Sequence, residues 1–210
     1  MTSTQTFPCA LDRDTIASTP DDPASASLAV WVRQPWLLRV GRDNVLIRGT
    51  TQRDLVAVAA LHTRCSPRTL LERYRSGGTA PSPVALEGLL RRTLSFVACT
   101  SRGEMIAMAV AAPDPTHEQG AAEIGLLVQD DWQRRGVGRE MVTHLAGGAQ
   151  VCGFTQLISY VGTSVVAAHR LLTVIGRTYS VPDPRAPHLH TYLTEQSSLG
   201  IGAVREHLAS

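Results

Sequence analysis

Two glycines stand two residues apart in the stretch VQDDWQRRGVGREMV, residues 128–142. Gly136 and Gly138 follow Arg134 and Arg135 and precede Arg139. An apolar run, AAEIGLLVQ, leads into the stretch and an amphipathic run follows it, so the glycines fall where a helix should begin. The first turn of a helix carries four unpaired backbone amides and the positive end of the helix dipole. Glycine lets a bulky anion reach those amides without meeting a Cβ atom. The flanking arginines add charge that can reach phosphate oxygens. The stretch is built like a pyrophosphate cradle, although a solvated turn can carry the same six residues. It is not a P-loop, because no Lys-Ser/Thr pair follows, and the dinucleotide spacing GxGxxG fails at Glu140 and Met141.

A second candidate lies just upstream. Glu123 is a carboxylate in an otherwise apolar strand of Ala, Ile and Leu. Such surroundings raise a carboxyl pKa and suit it to work as a base, although pairing with a nearby arginine is the alternative. His188 and His190 alternate on a late strand and so share a face, which reads as a sheet-face pair rather than a metal pair. Trp132 reads as packing for the motif loop. Trp31 and Trp36 read as core cover or as the lining of an acceptor mouth. The four cysteines (Cys9, Cys65, Cys99 and Cys152) are scattered, with no CxxC pair and no histidine at metal spacing. Neither a disulfide framework nor a zinc site is expected, no metal ligand is assigned, and Cys99 and Cys152 read as small core residues.

The elements that must position these groups can be read from pattern. VLIRG is a short strand. TTQRDLVAVAALHTRC is a helix, with Thr51 and Asp54 in capping-box spacing. SPRTLLERYRSGG is a second helix, with Ser66 as N-cap, Pro67 in the first turn and Gly77 as terminator. SPVALEGLLRRTL repeats that start at Ser82. LSFVACT and MIAMAVAA make a hairpin around SRGE, and AAEIGLLVQ is a buried strand after the loop PDPTHEQG. The motif helix runs to about Gly147. TQLISYV is a strand, SVVAAHRLLTVIG a helix ending at Gly176, and RTYSV with HLHTYLT a final hairpin. The order β-α-α-α-β-β-β-α-β-α-β-β is an α+β mixed sheet with helices on its faces. Residues 1–26, rich in Pro, Ser, Thr and Asp, read as a disordered leader. Residues 27–43 read as an extension packed on the domain, by a strand or a short helix; residues 44–195 are the domain and 196–210 a C-terminal tail.

This pattern resembles the GNAT superfamily of acyl-CoA-dependent N-acyltransferases, over about residues 45–195. The resemblance rests on AEIGLLVQDDWQRRGVGREMVTHL, which matches the coenzyme A motif Q/R-x-x-G-x-G/A at Gln133, Gly136 and Gly138. LHTRCSPRTLLERY is similar to a segment of some bacterial members. The resemblance implies a GNAT-type, mostly antiparallel sheet with a splayed central strand pair and helices on both faces. It implies acetyl-CoA as the acyl donor, without a metal, and a primary amine, on a small molecule or a protein, as the acceptor. The acetyl or short acyl group would pass directly, with no covalent enzyme intermediate. Backbone amides from Arg134 through Arg135, Gly136, Val137 and Gly138 to Arg139 would hold the pyrophosphate. Leu126, Leu127 and Val128 would pair with the pantetheine arm like another strand, and that strand would splay from TQLISYV. Glu123, ten residues before Gln133, lies close to where lysine-acetylating members place a catalytic glutamate, and is the candidate base. The family's usual Asn and Tyr positions fall near Val165 and Leu172, so the common phenolic acid is absent and the helix ends in Gly176-Arg177 instead of Gly-Phe. Tyr160 and His169 are the candidate substitutes. Their ordinary structural roles, and a non-catalytic acyl-CoA-binding regulatory domain, stay open as alternatives.

Composition agrees with a globular chain: 210 residues, 43% hydrophobic and 18% charged. No apolar run reaches the ~18 residues of a membrane span, and the N-terminus lacks the pattern of a secretory signal, so a cytoplasmic protein is expected. A net charge of +2 is too small to argue for nucleic acid. All the basic residues are arginine, leaving no lysine side chain to modify. A monomer or homodimer is the expected assembly.

Overall fold

A computed structural model describes residues 32, 34–75, 79–117, 119–161, 165–183 and 187–194. The expected leader and tail, Trp31, Cys9 and Gly77 lie outside them.

The chain enters the sheet through a hairpin, β1 (Trp36–Val40) and β2 (Asp43–Gly49), so the extension contributes a strand to the sheet. Three helices follow: α1 (Leu55–Arg64), α2 (Pro67–Tyr74) and α3 (Pro83–Arg92). A 3-10 turn, Gln52–Asp54, leads into α1. There the Asp54 carboxylate accepts from the Thr51 amide at 2.7 Å and from both Arg48 guanidinium nitrogens at 2.7 and 2.8 Å. Ser66 and Ser82 cap α2 and α3 by accepting from Thr69 and Ala85, each with proline in the first turn. The expected glycine stop of α2 is instead Arg75, which takes the left-handed conformation at φ 55° and donates its amide to the Leu71 carbonyl.

The remaining strands are β3 (Leu94–Thr100), β4 (Met105–Pro113), β5 (Ala121–Val128), β6 (Gln156–Tyr160), β7 (Gly176–Val181) and β8 (His188–Leu193). Two more helices, α4 (Val137–Val151) and α5 (Val165–Leu172), flank β6 in sequence. Together the strands form one open sheet of order β1-β2-β3-β4-β5-β6-β8-β7, antiparallel at every pair except β5–β6. That parallel pair is required by the α4 crossover. The helices α1, α2 and α3 cover one face, α4 and α5 the other. β3 and β4 are therefore buried on both sides, which is why their sequences run apolar without alternating. Val58, Leu61, Leu86 and Leu90 pack one core layer, and Met141, Val142, Leu145 and Phe96 anchor the other.

Two helix ends differ from expectation. α4 passes Gly147 and Gly148 and continues to Val151, because both glycines are buried and packing outweighs their poor helix propensity. α5 stops at Leu172, and Gly176 opens β7, where a Cβ atom would overlap the Tyr192 carbonyl. Among the described residues, no helix is long and apolar enough to cross a membrane.

Candidate active site

The register of β5 against β6 covers Ala121–Glu123 only, although β5 continues to Val128 and β6 to Tyr160. Beyond Glu123 the two strands part. The Gly120 carbonyl accepts from Gln156 on the β6 side, whereas that of Ala121 accepts from Asp114 on the β4 side, so the even-numbered residues of β5 aim their backbone groups toward β6. Leu126 consequently turns its amide and carbonyl into the gap, and no described residue bonds to them. A cavity of about 1100 Å³ occupies this opening.

At the far end of the cavity is the start of α4. Gly136 adopts φ 90°, a left-handed conformation that disfavours side chains, and a Cβ built on it would meet nothing within 4 Å. Arg134 is also left-handed, at φ 57°. These turns bring the chain round so that α4 starts against the opening. The amides of Val137, Gly138 and Arg139 donate to no described residue, since the first helical bond runs from Glu140 to the Gly136 carbonyl at 3.2 Å. Arg134 and Arg139 line the cavity beside these free donors. The combination can receive an anion.

The loop before the cradle is clamped to α2. Gln133 donates to the Val128 carbonyl at 3.0 Å and to the Thr69 hydroxyl at 3.1 Å. Asp130 accepts from the Ser66 amide (2.8 Å), the Ser66 hydroxyl (2.6 Å) and the Thr69 hydroxyl (2.8 Å). Partial burial pushes the Asp130 carboxyl up, but these bonds outweigh it and hold its pKa below the ordinary value. Arg135 lies outside the cavity lining: it stacks on Trp132 at 4.3 Å and pairs with Asp43 at 3.0 Å. Val137 and Leu127 bury their side chains in opposite core layers, so only their backbones can face a ligand.

At the apex of the gap stands Glu123, its side chain exposed to the cavity. Burial of the carboxyl raises its pKa; Arg73 opposes the rise and Asp114 adds to it. Tyr160 lines the cavity nearby and donates to Asp114 at 3.0 Å, with the Thr116 hydroxyl 3.3 Å away. Its phenol pKa is raised, first by burial and then by the carboxylate it serves. The Asp114 carboxylate also accepts from the Thr116 amide and hydroxyl and pairs with His117 at 3.0 Å. His117 in turn reaches His188, Nε2 to Nε2, at 3.4 Å. His190 contacts Gln156 and stacks on Tyr192. His169, the other candidate acid, is not part of the cavity lining, whereas the buried Leu172 is. Trp36 packs against His144 in the core rather than at the cavity.

Several cavity groups carried no sequence signal. Arg73, Arg75 and Arg170 line the opening, and Asp114 supports Tyr160 from what reads only as a loop. The Asp-Pro-Thr-His order of 114–117 was the available hint, because an Asp accepting from the amide two residues on makes a tight turn.

A family model described as the acetyltransferase (GNAT) family matches residues 57–176, more than half the chain. The chain belongs to this family. The GNAT fold is also that of its structural neighbours. The GNAT domain of S. lividans PAT superposes with a TM-score of 0.64 at 20% identity, over 79% of this chain and 98% of that one. The protein yncA from Salmonella typhimurium, solved with its cofactor acetyl-CoA, gives 0.56 at 15% identity, covering 72% and 95%. A phosphinothricin acetyltransferase of the GNAT superfamily from Sinorhizobium meliloti, in complex with AcCoA, gives 0.56 at 17%, covering 72% and 89%. No curated protein matches the sequence. The match to the family and to neighbours holding acetyl-CoA supports acyl transfer and acetyl-CoA binding in general terms.

Proposed function

We propose that this GNAT chain is an N-acetyltransferase that moves an acetyl or short acyl group from its coenzyme A thioester to a primary amine. The observation that carries the reading is the parting of β5 from β6 between two chemically distinct ends, free helix amides at Gly136–Arg139 and a carboxylate at Glu123. The residues present fit acetyl-CoA. Gly136 leaves open space where a side chain would stand, and the amides of Val137, Gly138 and Arg139 with Arg134 and Arg139 offer donors to a pyrophosphate. The gap-facing backbone of Leu126 offers the pantetheine amides a strand-like partner.

Acetyl-CoA supplies an activated acyl carbonyl and a thiolate leaving group. The chain's own contribution is placement and proton handling. An amine of pKa near 10 must lose a proton before it can attack, and Glu123, with its raised pKa, faces the gap to accept it directly or through one water. Tyr160 donates to Asp114, so its first role is to fix the wall of the gap, and it is the remaining candidate to protonate the leaving thiolate. Among the described residues no cysteine lines the cavity, and burial pushes the Cys65 thiol up to about 11, which favours direct transfer over an acyl-enzyme.

Thiol release from acetyl-CoA across a panel of primary amines, with mass spectrometry of the products, tests the proposal. Acetylated amine appearing in step with free thiol is the expected result. Acetyl-CoA binding with no product from any amine would favour the alternative of a regulatory acyl-CoA-binding domain, to which Leu172 in place of a phenol points.

A further inference from the structure

The cavity holds a cation that the donor end does not use. Arg73, in the last turn of α2, lays its guanidinium against Gly125 so closely that a Cβ there would overlap it. Tyr74 flanks it, with the guanidinium carbon 4.7 Å from the ring centroid. Protein atoms crowd the charged end, and burial lowers its pKa, while Tyr74 and Glu123 oppose that. Yet Arg73 makes no hydrogen bond or ion pair with any described residue. The half-buried guanidinium thus carries five N–H donors with no protein acceptor among the described residues. Those donors border the cavity.

The pyrophosphate is not the missing acceptor. Gly138 at the cradle approaches Leu126 and Val128, on the α4 face of β5. Arg73 lies on Gly125, on the opposite face, the one shared by Glu123 and Leu127 and covered by α2. Strand alternation therefore puts the cradle and Arg73 on different sides of β5. Gly125 is also two residues from Glu123, about 7 Å along the strand. The Glu123 carboxylate and a guanidinium without a protein acceptor among the described residues thus stand side by side on one wall of the cavity.

Resting on the reading of Glu123 as the acceptor end, we propose that the acceptor is a free amino acid, its carboxylate held by Arg73 while its amine faces Glu123. In the reaction the amine nitrogen forms the new N–C bond and the C–S bond breaks. The ammonium form of the amino acid with acetyl-CoA gives the N-acetyl amino acid, free coenzyme A and one proton, which leaves through Glu123. Arginine suits this task because its planar fork binds a carboxylate through two parallel bonds. The glycine at 125 gives the fork room against the strand.

The test compares L-amino acids with their carboxamides, with diamines and with short peptides, measuring thiol release and product mass. The wild-type protein should acetylate at least one amino acid with kcat/KM about 10–100-fold above its carboxamide, the range of a charge-assisted pair. Arg73→Gln should raise KM for that acid by a similar factor, leave KM for the carboxamide within about twofold and leave acetyl-CoA affinity unchanged. Gly125→Ala retains the charge but displaces the guanidinium, a flexible side-chain end, and should act in the same direction. Equal turnover of acid and carboxamide, or an Arg73→Gln loss shared equally by both, would overturn the proposal while leaving N-acetyl transfer intact. Acetylation of peptides or diamines with no amino acid consumed would do the same. No acetylated amine of any kind would defeat both this proposal and the reading it rests on.

Discussion

His144 lies on the buried side of α4, the helix whose N-terminus forms the cradle, with Trp36 at 5.4 Å and Phe96 at 5.9 Å between ring centroids. Burial among these rings lowers its pKa from 6.5 to about 4. The group is therefore neutral in the folded protein at pH 5 but protonated in the unfolded chain. Between about pH 6.5 and 4 the unfolded state binds more protons, so stability is complete above that window and falls as pH drops through it. At about 1.4 kcal/mol per pH unit, the full loss from this one group is about 3 kcal/mol, of which about 2 kcal/mol appears between pH 7 and 5. Urea unfolding at the two pH values measures it. His144→Leu keeps an apolar occupant and removes the titration, so its stability should fall by about 2 kcal/mol less than the wild type over the same interval. His62, whose pKa burial also lowers, contributes equally to both proteins and cancels. Identical pH dependence in the two proteins would refute the assignment of His144 as a buried neutral ring supporting α4.

Three further outcomes follow from the site. Asp130→Ala removes the three bonds that tie the motif loop to α2, and should cost about 1–2 kcal/mol in urea unfolding, as loss of a helix N-terminal acceptor does. Gly138→Val adds bulk beside Leu126 and Val128 without requiring a positive φ, and should leave a folded protein whose melting temperature acetyl-CoA no longer raises. It is a cleaner probe than a change at Gly136, where φ 90° would strain any side chain and confound binding with folding. Tyr160→Phe removes the donor to Asp114; if the phenol also serves the leaving thiol, kcat should fall by about 10²-fold or more with KM for acetyl-CoA little changed.

What the sequence made legible was local. The strand–Gly-x-Gly–helix order needs only neighbours in the chain, so Gly136, Gly138 and Gln133 could be singled out before any contact was known. Glu123 stood out because a charge in an apolar strand is anomalous wherever the strand lies. The fold class followed from the order of periodic segments. Helix ends were less legible, because they depend on partners: Gly147 and Gly148 stay helical under the packing of α4, and Arg75 takes the left-handed turn expected of Gly77. Arg73 was illegible for the same reason. Nothing in LLERYR distinguishes it from Arg75, and only the docking of α2 on β5 sets its guanidinium on Gly125. Asp114 became a partner of Tyr160 only once the end of β4 and β6 were brought together by the fold.

The most direct test of the acyl-transfer mechanism is Glu123→Gln, followed by calorimetric titration with acetyl-CoA and steady-state turnover on the best amine of the panel. The cradle at Gly136–Arg139 is untouched by this change, so acetyl-CoA affinity should stay within about threefold of wild type, while kcat falls by about 10²–10⁴-fold, the usual contribution of a general base. The rate of the wild type should decline as pH drops through the raised Glu123 pKa, and that acid limb should vanish in the variant. A variant that keeps more than about a tenth of the wild-type rate, with its pH profile unaltered, would contradict the account and return Glu123 to a structural role.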